Sequence, residues 1–430
     1  MKKKNFFKKI MFIVFALAMV TSFASFNHVA SADVSSYQEN KLNLNVKSAI
    51  AIDSKTGQIL YAKNADKKLP IASMTKLITV YLTLDAIKNG KLTWQTKVKP
   101  TNAIVKVANN SEYSNVPLKK GHSYTVKKLY EATLIESANG AAMCLAQAVS
   151  GSQVTFVNKM RAQLKKWHIN DAKIYTVCGL PNGNVGKAAY PGINKNVENT
   201  MSAKDMAIIG QHLLTAFPEV IKTTKKAHLA FKDTNKVTKM TNFNWMLKGL
   251  SQYSPELKVD GLKTGTTDAA GACFIGTVKR GAARIITIVM GARHLDGTDP
   301  SRFIQTKKLM NWIFANYTPV ILKAGTDFNN AKKVDVPNGK NLTLPIGIKD
   351  KTVVWDLVDG VHINATLTKK EVQAPIKMGQ KVTNYIFRSG SNKLISIEDE
   401  NGMRIPAQAL ENNNEVNIFV KFWRWITGVR

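Results

Sequence analysis

The stretch "LPIASMTKLITVYLTL", residues 69–84, decides how the chain is read. It is largely apolar, yet it carries Ser73 and, three residues on, Lys76. Lysine is among the residues least often found on a buried helix face. Positions i and i+3 of a helix share a face, so the spacing sets a hydroxyl beside an amine. A serine hydroxyl is a poor nucleophile until a base removes its proton. Lysine is such a base only when its pKa falls, which burial among Leu, Ile and Met side chains or a second cation brings about. Lys76 therefore either reaches solvent from a plain amphipathic helix or acts on Ser73. The pattern predicts a helix from Ser73 to Gly90, with Gly90 as its C-terminal cap. Near its start, free backbone N–H groups are available to an oxyanion.

S-x-x-K is a weak signal in a chain with 61 Lys and Arg, but two further motifs follow it in order. "ESANGAA" contains Ser137-Ala138-Asn139 at the junction of two predicted helices. Its hydroxyl is suited to relay a proton, its amide to hold a substrate backbone. "DGLKTGTTDAAG" contains Lys263-Thr264-Gly265 on a predicted strand. The lysine supplies a second cation, the threonine a donor to a carboxylate, and the glycine room for a substrate strand at the sheet edge. Two decoys exist: Lys55-Thr56-Gly57 falls in a predicted hairpin turn, and Ser25-Phe26-Asn27 in a predicted export signal.

That signal reads as residues 1–32: five lysines, the apolar core "IMFIVFALAMV", then Ala30-Ser31-Ala32 as a cleavage site. The expected mature chain works outside the cytoplasm. Its cysteines, Cys144, Cys178 and Cys273, are too few and odd in number for a disulfide framework, although one bridge is left open. Net charge is +32, of which +5 lies in the signal, +23 between residues 33 and 325, and +4 beyond. Nucleic acid is not expected as the partner of an exported basic surface. Anionic wall polymers or lipid headgroups suit it better, with solubility alone as the plain alternative.

Helical periodicity recurs in "VKKLYEATLIES", "GAAMCLAQAVSG", "SQVTFVNKMRAQLKKWH" and "SAKDMAIIGQHLLTAFP", the last opened by Ser202 and stopped by Pro218. The β-branched runs "VDGLKTGTT", "ACFIGTVK" and "ARIITIVMGA" read as antiparallel strands, followed by a helix from Pro300. Helices, then adjacent strands, then a helix predict an antiparallel sheet covered by helices. From Thr326, "TLPIGI", "TVVWDLV", "HINATLT", "NYIFRS" and "LISIED" read as strands of a small all-β domain, residues 326–410. The tail, residues 411–430, ends in "NIFVKFWRWITGVR". There Ile418, Phe419, Phe422, Trp423, Trp425, Ile426 and Val429 share a face opposite Lys421 and Arg424. This is the pattern of a helix lying in a membrane interface, too short to span a bilayer. A helix docked on its own domain is the alternative.

Taken together, the S-x-x-K, S-x-N and K-T-G motifs resemble those of the penicillin-binding protein and serine β-lactamase superfamily. Length, "VDGLKTGTTDAAG", the β-rich domain and the tail resemble the low-molecular-mass D-alanyl-D-alanine carboxypeptidases, the S11-like peptidases. The likeness implies an α+β penicillin-recognising fold in which helices flank a five-stranded antiparallel sheet, residues 33–325 forming the catalytic domain. It implies Ser73 as nucleophile, Lys76 as its base and Ser137 as proton relay, with Asn139, Lys263, Thr264 and Gly265 binding substrate. Thr266 would supply an oxyanion-hole N–H together with Ser73, and Arg302 would face the substrate carboxylate. The implied substrate is a peptidoglycan stem peptide ending in D-Ala-D-Ala, with β-lactams as acylating inhibitors and the outer membrane face holding the tail. No cofactor is expected, because no metal-type His/Cys cluster or phosphate-binding glycine loop appears. The chain departs from the pattern at Cys178, where relatives often have histidine, and at Thr266, where some do.

Rival readings are a β-lactamase, a transpeptidase and a non-catalytic wall-binding module. A class A β-lactamase needs a carboxylate-activated water, usually from an E-x-x-N loop, and neither Glu198-Asn199-Thr200-Met201 nor Glu219-Val220-Ile221-Lys222 fits. A transpeptidase differs only in its acceptor, which sequence does not reveal.

Overall fold

The strand Ser48–Asp53 (β1) is buried along its whole length. Ile50 and Ile52 enter one hydrophobic cluster while Ala49 and Ala51 enter another. A strand apolar on both faces belongs between two covering layers. With Ile59–Lys63 (β2), Gly261–Thr267 (β3), Gly271–Arg280 (β4) and Ala283–Ala292 (β5) it forms an antiparallel sheet in the order β2-β1-β5-β4-β3. The K-T-G strand β3 is therefore an edge strand. The computed structural model describes residues 37–358, 363–390 and 392–428. The expected export signal, with its Ser25-Phe26-Asn27, lies outside them, and Lys55-Thr56-Gly57 falls in the β1–β2 turn.

One face of the sheet carries the larger cluster and, among its helices, Lys76–Lys88 (α1), Asn102–Ala108 (α2), Val126–Ile135 (α3), Asn139–Ser150 (α4), Gln153–Lys166 (α5) and Ala203–Ala216 (α6). Gly90 follows α1 at φ 71°, the left-handed conformation that suits glycine after a helix. A capping box between Ser202 and Asp205 opens α6, which ends before Pro218. On the other face lies Ser301–Asn316 (α7), which buries Phe303, Leu309, Met310 and Ile313. Helix α2 is too short to show a period in the sequence. The hairpin of His228–Asp233 with Lys236–Thr241 is mostly exposed and so lacks an alternating signal.

The C-terminal all-β region contains Tyr317–Leu322 (β6), Lys333–Asp335 (β7), Thr343–Ile348 (β8), Thr352–Leu357 (β9), Ile363–Leu367 (β10), Lys381–Ser389 (β11) and Arg404–Ala409 (β12). A second sheet runs β7-β8-β12-β11-β10, with Asn392–Lys393 against β11, and β6 pairs with β9. Leu344, Ile346, Tyr385 and Phe387 share its core. One expected strand is corrected. "LISIED" makes only an isolated bridge from Ser396 to Gln58, and Ile395 and Ile397 insert into the larger cluster of the helical face. Alternation shows that successive side chains part company, not which core receives them. The two regions also meet at Trp355, which is fully buried and donates from its indole nitrogen to Asp53 Oδ2 at 2.9 Å.

The tail helix, Ile418–Thr427 (α8), is capped by Asn417, which accepts from Val420 N at 3.0 Å. None of its residues is buried, and Phe419 and Trp425 are 80% and 78% exposed. Its cationic side turns inward: Arg424 donates to the carbonyls of Pro337 at 3.0 Å and Gly339 at 2.7 Å. Val429 lies outside the described residues. Among the described residues no helix is long and apolar enough to cross a membrane. Cys144, Cys178 and Cys273 are all free and buried.

Candidate active site

Ser73 does not begin a regular helix. It lies in the 3-10 turn Ala72–Thr75, and α1 starts only at Lys76. In 3-10 geometry the side chains at i and i+3 eclipse, which tightens the S-x-x-K pair. Lys76 Nζ lies 2.6 Å from Ser73 Oγ. It also donates to Asn139 Oδ1 at 2.8 Å and to the Cys178 carbonyl at 2.7 Å. Those two oxygens are acceptors only. A neutral amine that gives each of them a proton directs its lone pair at the Ser73 hydroxyl, which is able to donate. The same three contacts also fit an ammonium donating to all three oxygens, so the set admits both protonation states of Lys76.

Lys76 is fully buried, and burial lowers its pKa from 10.5 to about 8. Lys263 is driven well below the usual lysine range, by burial first and then by the charges of Lys76 and Arg302. Such coupling is reciprocal, so the two amines are held below full protonation as a pair. Their contacts differ. Lys263 Nζ has the Thr264 carbonyl at 3.0 Å, whereas Lys76 has two carbonyls and a hydroxyl.

The second motif forms the corner between α3 and α4. Ser137 stands at φ 55°, and Ala72, just before the serine of the first motif, at φ 46°. Left-handed backbone costs a residue with a Cβ roughly 1–2 kcal/mol, and such strain clusters at functional sites. Asn139 is buried with both ends of its amide engaged: Oδ1 by Lys76, and Nδ2 by the Ser114 carbonyl at 3.0 Å. Gly265 of the third motif and Gly179 both lie against the turn that carries Ser73. A Cβ on Gly179 would stand 1.9 Å from the Ala72 carbonyl oxygen. At Cys178 the backbone carbonyl holds Lys76, while the thiol is buried.

Above the two lysines opens a cleft of about 360 Å³ lined by Ser73, Ser137, Thr264, Gly265, Thr266 and Arg302. Lys76, Asn139 and Lys263 lie beneath it, buried. Because β3 is an edge strand, its outward N–H and C=O groups are free of sheet pairing. Arg302 is buried and donates to the carbonyls of Gly265 at 2.9 Å and Cys273 at 3.2 Å. All nine residues singled out in the sequence thus gather in or directly under one cleft. Sequence reasoning missed Phe243 and Trp245, which also line the cleft from an irregular segment. It also missed the Cys178 carbonyl, which no side chain announces.

The peptidase S11 family of D-alanyl-D-alanine carboxypeptidases matches residues 34–294. The chain belongs to that family. D-alanyl-D-alanine carboxypeptidase DacC of Escherichia coli K12 is 29% identical over 403 residues, covering 89% of this chain and 88% of the relative. The carboxypeptidase is also similar to the solved structure of PBP3 of Streptococcus pneumoniae, described as a peptidoglycan synthesis regulatory factor. Identity is 34% and the TM-score 0.71, over 86% of this chain and all of the other. The cefotaxime-bound penicillin-binding protein D2 of Listeria monocytogenes is 32% identical with a TM-score of 0.50, over 64% of this chain and 98% of that one.

Proposed function

We propose that this serine D,D-carboxypeptidase of cell-wall metabolism removes the last D-alanine from peptidoglycan stem peptides through an acyl-enzyme on Ser73. The observation that carries the mechanism is the contact of Lys76 Nζ with Ser73 Oγ at 2.6 Å, with two carbonyls taking the amine's hydrogens. Ser73 Oγ attacks the carbonyl carbon between the two D-alanines as its proton passes to Lys76. Backbone N–H groups of Ser73 and Thr266 receive the oxyanion. Ser137, with Lys263 beneath it, relays that proton from Lys76 to the leaving nitrogen, the C–N bond breaks, and Lys76 is neutral again. Water then attacks the ester, gives a proton back through the same base to Ser73, and the shortened peptide leaves. Thr264 and Arg302 face the carboxylate of the departing D-alanine, and the edge of β3 carries the peptide backbone. Asn139 acts through the base, holding Lys76 in place from below. Phe243 and Trp245 give the cleft an apolar wall.

β-Lactams acylate the same serine, a reading supported by the likeness to a penicillin-binding protein solved with cefotaxime. The test is to label the protein with a fluorescent penicillin and to follow D-alanine release from a pentapeptide. Wild type takes the label and releases D-alanine, and Ser73→Ala does neither; a labelled Ser73→Ala protein refutes the assignment.

The chain arrangement belongs to the same proposal. Residues 1–32 direct export, 33–325 carry the chemistry, 326–410 form a spacer, and 411–430 hold the enzyme on the outer face of the cell membrane. The exposed aromatic face of α8 supports the last assignment. The basic surface suits anionic wall polymers.

A further inference from the structure

We infer that a second cavity beside the catalytic cleft binds a carboxylate of the substrate upstream of D-Ala-D-Ala; the inference rests on the carboxypeptidase reading above. The cavity measures about 870 Å³ and lies between α2 and the loop that follows Pro181. Lys106, Lys187 and Lys195 line it, together with Asn110, Tyr113 and Tyr190, and no Asp or Glu does. Among the ion pairs of the described residues none involves those three lysines. The cavity therefore offers uncompensated positive charge, amide groups and aromatic surface.

It adjoins the catalytic cleft. Glu112 and Ser114 line the cleft while Tyr113, between them, lines the second cavity. This shared wall is fixed to the catalytic machinery: the Ser114 carbonyl accepts from Asn139, and Asn115 accepts from Gly140 N at 2.9 Å while donating to the Val107 carbonyl at 2.8 Å. The far wall is equally built. Buried Asn182 accepts from Tyr190 N at 2.7 Å and donates to the Tyr190 carbonyl at 3.0 Å. Gly183 N donates to the Lys195 carbonyl at 2.7 Å, and the Arg161 guanidinium covers the Tyr190 ring at 4.2 Å. A preformed site loses little ordering entropy on binding.

The direction of the substrate selects the ligand. Arg302 and Phe303 line the catalytic cleft but not the second cavity, whereas residues 112–114 border both; in the inferred pose the leaving D-alanine is held at Arg302 and the acyl portion runs toward residues 112–114. A stem peptide with a γ-linked D-glutamate carries a free α-carboxylate on that acyl portion. Lysines spaced around a pocket attract such a group without demanding the fixed geometry of a guanidinium.

The experiment measures kcat/KM of the full chain on three peptides: acetyl-L-Ala-γ-D-Glu-L-Lys-D-Ala-D-Ala, its counterpart with the glutamyl α-carboxylate amidated, and diacetyl-L-Lys-D-Ala-D-Ala. Wild type should favour the acid over the amide by about three- to tenfold, the range expected of a few partly exposed charge contacts. The Lys106→Glu, Lys187→Glu, Lys195→Glu triple variant should abolish or reverse that preference and cleave the short tripeptide at the wild-type rate. Equal wild-type rates on acid and amide, which need no variant to observe, overturn the inference, as does a triple variant that keeps the preference. If the tripeptide is cleaved and the preference is absent, only this inference falls. If no peptide is cleaved, the carboxypeptidase reading falls and takes the inference with it.

Discussion

A Cβ added to Gly265 would stand 2.7 Å from the carbonyl oxygen of Ile71 and 3.2 Å from Met74 N. The third motif is thus packed against the backbone of the turn that presents Ser73. Glycine at this position sets the distance between β3 and the Ser73 turn, a constraint separate from any approach of substrate to the strand. Gly265→Ala must push two backbones apart, because neither obstructing atom belongs to a flexible side chain. We expect a stability loss of about 1–3 kcal/mol from overpacking and, with the site spread, a fall of roughly 100-fold in acylation by penicillin. Melting temperature and labelling rate measure the two effects. Wild-type labelling in a folded Gly265→Ala protein would show that the spacing does not matter.

The lowered pKa of Lys76 predicts the pH dependence. In the proposed mechanism Lys76 takes the proton of Ser73, which it can do only when uncharged, so acylation should rise with pH and level off above about 8. Stability follows with a definite sign. Between about 8 and 10.5 the unfolded chain binds a proton at this lysine that the folded chain does not. The destabilisation is complete below that window and is relieved as pH rises through it, by about 3 kcal/mol for a shift of this size. Single-turnover labelling from about pH 6 to pH 9 tests the kinetic part, and a flat profile removes Lys76 as the base.

These relationships differ in how far the sequence displays them. The S-x-x-K spacing is visible because i and i+3 neighbours are a property of helical geometry, although the turn proves to be 3-10 and α1 begins at Lys76. The five-stranded sheet is visible because β-branched runs such as "ARIITIVMGA" are buried on both faces. Residues outside the three motifs that act through the backbone are not visible. Cys178 holds Lys76 with its carbonyl, and Gly179 acts by lacking a side chain. Ile395 and Ile397 alternate like any strand, and no local pattern tells that they cross to another core.

Trp355 makes the C-terminal β-rich region part of the stability of the catalytic region. Besides the bond to Asp53, its backbone exchanges two hydrogen bonds with the Gln58 side chain: Gln58 Nε2 donates to its carbonyl at 2.7 Å, and its N–H donates to Gln58 Oε1 at 2.8 Å. Trp355→Ala should cost about 3–5 kcal/mol by emptying a closed site. Trp355→Phe, which keeps most of the volume and loses the indole donor to buried Asp53, should cost about 1–3 kcal/mol. Denaturant titration gives both values, and penicillin labelling of the folded fraction should stay within about twofold of wild type, since the contact shares no partner with the site. An undiminished stability in Trp355→Ala would mean that the two regions are held together elsewhere.

The tail helix is amphipathic in a specific arrangement. Arg424 is tied to the carbonyls of residues 337 and 339, and Lys421 is paired with Glu415, so the cations face the protein. Phe419, Phe422, Trp423 and Trp425 are left exposed, each 60% or more. Burying such side chains in a lipid interface is worth about 1.5–3 kcal/mol apiece, enough for two of them to decide between bound and free. The Phe419→Ser, Trp425→Ser double variant should therefore lose co-sedimentation with phospholipid vesicles while cleaving soluble peptides at the wild-type rate. Neutral and anionic vesicles separate the apolar contribution from attraction by the basic surface. If the double variant still sediments with neutral vesicles, the aromatic face is not a lipid-binding surface.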